Sequence, residues 1–452
     1  MLIKYAPFWV LCLAFLQKQL NSNFIKVSSI EKLIFNIDKL AIKLYNIMQN
    51  EVIAVNDKKY LRELAKKHFE IANLPIMQER ADMWQRHNDG ERKFVPIVLE
   101  MNAFEHELMP KLQCEDSICR EFETNMLRAI VSHEFIDDDK VVSKYFEVHK
   151  VIHYKELNVD FKRTHTSGVG FHIDPIISDL ERDFNKIGAS KYWYDEERTN
   201  KKLELANDIL GDIMPVLPIN SVINWTVMLT QTVVKLMGTE NYFIALADKP
   251  EAVKKLFDYL EKDLRGFLVW QEKEGLLTKN NGNDYVGGGT YGFTKQLSDI
   301  PMLKNRWASM NSQESVGLSP KMFKEIIFPY FLKMADLFGR IYWGCCEPVH
   351  EIWETCLTKI PNLSKVSVSP YSDEKLMGEY LSKSNVIYSR KPRPHFIGFD
   401  DVFDEEGYKK HIKYTLDCAK NCNLEIIFRD IYTLKGEQTR GKRAVQILRS
   451  LL

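Results

Sequence analysis

From residue 214 to the carboxyl terminus, short apolar runs recur at 214–220, 276–281, 307–311, 341–345, 365–369, 386–390 and 424–429. Most are separated by stretches of helical period, among them 320–338, 373–381, 404–418 and 437–451. An eighth run, Phe94-Val95-Pro96-Ile97-Val98-Leu99-Glu100, comes earlier. Apolar runs without alternation suit strands covered on both faces, and strands alternating with helices suit a parallel sheet with helical crossovers. Eight such strands match a closed (β/α)8 TIM barrel, an α/β fold that is expected here over residues 94–452. An open doubly wound sheet is the alternative.

Between the first strand and the rest lies an excursion, residues 102–213, far longer than an ordinary barrel loop. A helix is expected near 116–133, with extended pieces at 141–146, 150–154 and 159–163. The excursion leaves the first strand at its carboxyl end, where barrel loops build sites, so it is expected to cap the mouth. A turn-rich stretch, Gly168-Val169-Gly170-Phe171-His172, lies within it and brings His172 forward as a candidate substrate contact. Residues 51–93 read as a helical region with Leu61, Leu64, Ala65, Phe69 and Ala72 on one face. Residues 1–50 read as an extension ahead of a start near Met48. It carries a signal-like apolar run over 5–16, too short for a stable membrane span, and a capping box at Ser28 and Glu31.

Of the 452 residues, 45% are apolar, and 62 basic side chains balance 62 acidic ones. That balance gives no electrostatic case for nucleic acid or an anionic membrane as partner, which leaves a small-molecule substrate. Eight cysteines are too sparse for a disulfide framework and point to a reducing, cytoplasmic setting with at most one thiolate site.

In a parallel barrel, side chains at the carboxyl ends of the strands converge on one cavity. Those ends here carry Glu100; Asn220; Asn281, Asn283 and Asp284; Asn311, Gln313 and Glu314; Cys345, Cys346 and Glu347; Ser369; Arg390 and Lys391; Arg429 and Asp430. Each alone reads equally well as an ordinary polar loop residue; polarity at all eight ends is what marks a site. Asn281, Asn283 and Asp284 stand in a loop ending Gly287-Gly288-Gly289, suited to closing over a polar ligand. The glycines lack dinucleotide or phosphate-loop spacing. Arg390 and Lys391 would suit a carboxylate or phosphate on the ligand.

In Gly344-Cys345-Cys346-Glu347-Pro348-Val349-His350, thiol, carboxylate and imidazole ligand types for zinc lie within six residues. Adjacent side chains leave a strand in opposite directions, so Cys346 is expected to bind while Cys345 packs, with His350 and Glu347 completing the set. Two buried thiols and a helix-cap histidine is the structural alternative. Glu425, inside the last strand, requires a buried partner such as Arg429 or Arg390.

The segments 280–285, 312–317 with Pro320 and Pro329-Tyr330, 344–348, 360–363 with 366–370, and Tyr388-Ser389-Arg390-Lys391-Pro392 resemble the uroporphyrinogen decarboxylase superfamily. The branch they look like is that of the corrinoid-dependent methyltransferases. The resemblance covers roughly residues 61–452 and implies a TIM barrel. The arginine-rich motif by which porphyrinogen decarboxylases grip their substrate is missing after Phe94, which argues against porphyrin decarboxylation. The methyltransferases hold zinc with H-x-C and a later cysteine; Cys346 matches best, while the leading histidine and the later thiol are absent.

The expectation is therefore a zinc-assisted methyltransferase that moves a methyl group from a methylated small molecule or a methyl-corrinoid protein. Zinc would present a thiolate acceptor. Asp284, Glu314 and Asn283 would serve catalysis, and Asn281, Gln313, Arg390, Lys391 and His172 would bind substrate. With no D-x-H-x-x-G signature, any corrinoid would arrive on a partner protein. The alternatives are a decarboxylase, in which Arg390 and Lys391 bind carboxylate and Asp284 or Glu314 protonates the carbanion, and a non-catalytic corrinoid- or metal-binding module.

Overall fold

The computed structural model describes residues 55–165, 171–220 and 227–452. The expected extension over 1–50 and the glycines at 168 and 170 lie outside them. Contacts divide the chain into two units. In the described part of the smaller, the Asp57 carboxylate accepts the backbone N–H groups of Glu115 and Asp116 at 3.0–3.2 Å. The Asp116 side chain caps a helix start by accepting from Ile118 and Cys119 N–H at 2.8 and 2.9 Å.

The larger unit is α/β and is organised by a curled, parallel six-stranded sheet. In spatial order its strands are Ile97–Leu99, Leu424–Phe428, Ile387–Arg390, Leu363–Val368, Arg340–Trp343 and Trp307–Met310. Six of the eight expected strands thus join this sheet, all parallel. The closed ring of eight is not met among the described residues. The run 276–281 stays outside the sheet, because Asn280 occupies the place of a strand partner. Its side chain donates to Trp307 O at 3.0 Å and accepts from Trp307 N–H at 2.9 Å. The run 214–220 does form a strand, Val216–Ile219, but pairs it with Phe146–His149 from the excursion. Beyond it, Val227 makes a lone parallel bridge to Met310.

Each strand is buried on both faces, yet the faces differ. Ile341, Trp343, Val366, Val368, Tyr388, Ile426 and Phe428 point outward into one large core with the crossover helices. Tyr342, Lys365, Ser367, Ser389 and Glu425 occupy the alternate positions, in register across the sheet as Tyr342 with Lys365, Ser367 with Ser389, and Ser389 with Glu425. Two elements cover this inner face. The helix Pro75–Asn88 brings Trp84 against Val98 and Ile427. The hairpin of Tyr285–Gly287 and Thr290–Tyr291 enters from the other side. Its turn explains the glycine run: Gly287 and Gly288 have φ of +133° and +50°, and a Cβ at Gly287 would stand 2.7 Å from the Tyr342 ring. These glycines let backbone pack into the curl of the sheet; they do not form the expected flap over a ligand.

At the bottom of the inner face Lys365 and Glu425, both fully buried, pair at 2.7 Å. Thr290 Oγ1 accepts from Lys365 at 2.6 Å and donates to Glu425 at 2.9 Å. The rings of Trp84 and Trp307 stand 5.1 and 5.7 Å from the ammonium. Burial would raise the Glu425 carboxyl, but Lys365, and after it His87, hold it well below the usual range. Burial lowers Lys365 to about 8. The partner that the sequence required for Glu425 is therefore Lys365, not Arg429 or Arg390.

Removing one member of such a pair strands a buried charge. Lys365→Met is expected to cost about 3–5 kcal/mol in urea unfolding, and Lys365→Met combined with Glu425→Leu to recover a large part of it. A single-variant loss under about 1 kcal/mol would show that the pair does not hold the inner face together.

Candidate functional site

Two neighbouring features stand at the carboxyl ends of the strands. The first is a cavity of about 360 Å³ between the end of the Ile97–Leu99 strand, the Phe146–His149 strand and the helix Ser117–Phe135. Glu100, Lys140, Glu147, His149, Asn283 and Tyr285 are among its walls. In Phe146–His149 the alternation buries Phe146 and Val148 and turns Glu147 and His149 toward the cavity. Desolvation, with the charge of Asp284 added, raises the Glu147 carboxyl to about 7. Desolvation also raises Asp284 to about 6, against a hydrogen bond from Gly282 N–H. Beside this cavity Glu147 thus titrates near neutrality, as general acids do, while Asp284, lower, supplies charge.

The cations around the cavity are engaged. Arg80 donates to Asp137 at 2.8 Å and Arg128 to Glu105 at 2.7 Å. Lys140 donates to Leu99 O and Ser132 Oγ at 2.8 and 2.9 Å.

The second feature begins at Glu100 in the cavity wall. Its Oε2 accepts from Arg429 Nε at 2.5 Å, while Oε1 has no partner among the described residues. Arg429 Nη1 reaches Cys345 Sγ at 3.8 Å, and Cys345 Sγ lies 3.6 Å from Cys346 Sγ. Both thiols are half-buried. The hydrogen bond from the Cys346 thiol lowers the Cys345 pKa, as does the Arg429 guanidinium, against desolvation. The Cys346 pKa is pushed up, because ionising it would break that same hydrogen bond. Of the two thiols, Cys345 is the one whose ionised form these neighbours favour. Across the inner face, Lys391 Nζ donates to Ser389 Oγ at 2.7 Å and sits 5.6 Å from the Tyr342 ring, and burial lowers it to about 7.

The expected separation of the two thiols, one inward and one packed away, is not met. The strand stops at Trp343, Gly344 takes φ +103°, and residues 345–347 form a bend. Strand alternation therefore no longer separates the side chains, and both sulfurs fall on the same side.

The expected zinc set does not converge. Glu347 is buried, and its Oε1 and Oε2 accept the N–H groups of Ser312 and Cys345 at 3.0 and 2.8 Å. His350 Nδ1 accepts from Asp373 N–H at 3.2 Å. Among the described residues no group of three or more His, Cys, Asp and Glu is arranged to hold a metal ion. Glu347 and His350 fasten loops, so Cys345, Cys346, Glu347 and His350 do not fit the ion.

Other expected contacts are also dispersed. Arg390 points outward, fully buried, and spends its guanidinium on Glu374 and on the carbonyls of Val368 and Ser369 at 3.0 and 2.8 Å. Lys391, one residue on, faces inward. Asn281 turns away to Asp299 and Leu297 O at 2.8 and 3.1 Å. Gln313 and Glu314 bond each other at 3.3 Å, and Glu314 also accepts from Thr230 at 2.7 Å. His172 is exposed on a hairpin, 3.5 Å from Asp174. Asn283 does line the cavity, with its amide on Val141 O at 2.8 Å. Asp284 acts on the cavity through its charge. Glu147 and His149 escaped the sequence reading, because their strand was placed in the excursion a few residues too early.

No family model matches this chain, and no curated protein matches it. Among solved structures, it is similar to a methyltransferase from Methanosarcina mazei at 11% identity, over 82% of this chain and 98% of that one, with a TM-score of 0.47.

The raised Glu147 carboxyl has a consequence for stability that needs no substrate. The folded state keeps this proton up to about 7, whereas an exposed glutamate releases it near 4.5. The stabilising contribution is complete below about 4.5 and is lost as pH rises through about 7. Urea midpoints measured across that window should fall less with rising pH in Glu147→Gln than in the parent protein; parallel curves would mean that Glu147 is solvated.

Proposed function

We propose that this chain is a methyltransferase in which the Cys345 thiolate is the nucleophile and Glu147 the acid. The observation that carries this reading is the placement of Cys345 Sγ, 3.8 Å from Arg429 Nη1 and 3.6 Å from the Cys346 thiol, at the carboxyl end of the parallel sheet. A guanidinium and a thiol donor both favour the thiolate, the reactive form of cysteine. Without the zinc that the sequence suggested, these neighbours supply the acidification that a metal would otherwise give.

In this reading a methylated small molecule, or a methyl-corrinoid brought by a partner protein, reaches over the Glu100–Arg429 pair. The Cys345 sulfur forms a bond to the methyl carbon, the bond from that carbon to the leaving atom breaks, and the electron pair stays with the leaving atom. Where the leaving atom is a basic nitrogen or oxygen, Glu147 hands it a proton, its carboxyl raised by burial and by the charge of Asp284. A corrinoid cobalt or a thioether sulfur leaves with its electron pair and takes no proton. Decarboxylation would instead use a pair of cations for the substrate carboxylate, and of the expected two Arg390 is bound to Glu374 on the far face, which leaves Lys391 alone on the inner face.

The test is to incubate the reduced protein with methylcobalamin and, separately, with a methylsulfonium salt, and to locate added methyl groups by peptide mass spectrometry. Cys345 is expected to carry the label and Cys345→Ser to lose it. Cys346→Ala should still be labelled, with the pH profile of labelling displaced upward, because the thiolate has lost its donor. Labelling that is unchanged in Cys345→Ser, or absent from the parent protein with both donors, would overturn the reading.

A further inference from the structure

The bend after Gly344 leaves Cys345 and Cys346 with their sulfurs 3.6 Å apart, in contact but not bonded, and both half-buried. The backbone there is fixed on two sides: Cys345 N–H donates to Glu347 Oε2 at 2.8 Å, and Cys345 O accepts from Ser367 Oγ at 2.9 Å. Further cysteines are more remote from this chemistry. Cys356 is fully buried on the outer face, and Cys422 donates to Gly378 O at 3.4 Å behind the sheet.

We propose that Cys345 and Cys346 are a modification site that closes reversibly into a vicinal disulfide, with a peroxide as the oxidant. The inference deepens the proposed function by adding regulation to the same thiolate, and its role as a brake rests on that reading. The Cys345 thiolate attacks one peroxide oxygen; the O–O bond breaks, hydroxide leaves and takes up a proton as water, and Cys345 becomes a sulfenic acid. Cys346 then attacks that sulfur, the S–O bond breaks, and a second water leaves with the thiol proton. Two thiols have lost two hydrogens and two electrons, and one peroxide has become two waters.

Arg429 favours this order by stabilising the attacking thiolate, and the neighbour already in contact favours ring closure over further oxidation. Adjacent Cα atoms are held about 3.8 Å apart by a trans peptide, closer than the roughly 4.4–6.8 Å usual for a disulfide. A strained bridge is readily reduced, which suits a switch better than a staple.

The full chain is treated with hydrogen peroxide, quenched in acid, alkylated and mapped by mass spectrometry. Trypsin leaves Cys356 on the same peptide, so a second cut after Glu351 is needed to isolate the pair, because Pro348 protects the bond after Glu347. The expected result is a peptide lighter by two hydrogens, restored by dithiothreitol, with Cys346→Ser giving instead a Cys345 sulfenic acid that dimedone captures. Sulfinic acid on Cys345 beside a free Cys346 would overturn the proposal. So would an unmodified pair at a peroxide level that oxidises an exposed thiol. If methyl labelling fails while the disulfide forms, the methyltransferase reading falls and the switch stands. If labelling succeeds and no disulfide forms, the reverse holds.

Discussion

A lysine and a glutamate, both withdrawn from water, hold the inner face of the sheet in its present form. Lys365 and Glu425 come from strands two places apart, with Ile387–Arg390 between them, so their ion pair spans the concave side and binds the curl across its width. A buried pair of this kind rarely adds net stability over an apolar replacement, because desolvation consumes what attraction supplies. It does impose specificity. Register slippage by one residue would send Lys365 or Glu425 into the apolar outer core, where neither finds a partner. The threonine and the two indoles around the pair complete a cage that only one strand arrangement satisfies.

Above this cage the inner face changes character. Lys391, Ser389 and Tyr342 form a middle zone, and Arg429 with Glu100 and the two thiols forms the rim. The ionisable groups of the rim contact one another and the cavity wall, so a change of charge at one is felt at the next. Removing Arg429 would release Glu100 and Cys345 together, which makes single substitutions along this line strongly non-additive. In the proposed methyl transfer Cys346 does not take the methyl group but favours the ionised form of its neighbour, and Asp284 adds its charge to the desolvation that raises Glu147. In both pairs one residue supplies the chemistry and the other its electrical setting.

Much of the sheet was legible because parallel strands buried on both faces must be short and apolar, and six of the eight expected segments obey that rule. The failures have physical causes. Residues 276–281 have strand composition, but an asparagine side chain replaces the backbone partner. Residues 214–220 pair with a strand of the excursion, a choice that composition cannot reveal. Within the site, Arg390 and Lys391 are consecutive charges, and period-two alternation guarantees that one faces outward; which one depends on register. Glu425 was recognisable as a buried charge needing a cation, and the cation proved to be a strand-interior lysine. The thiols were expected to point apart because strand geometry was extended two residues too far, past a glycine whose positive φ ends it.

The helix that bears Trp84 is made before its seat on the inner face, which is built from residues as late as Ile427. At ordinary ribosomal speeds the intervening chain takes on the order of tens of seconds to appear. During that interval a large indole and a histidine destined for complete burial have nothing to rest against. The nascent polypeptide therefore carries a sticky, unfinished segment until the strand of Ile427 emerges.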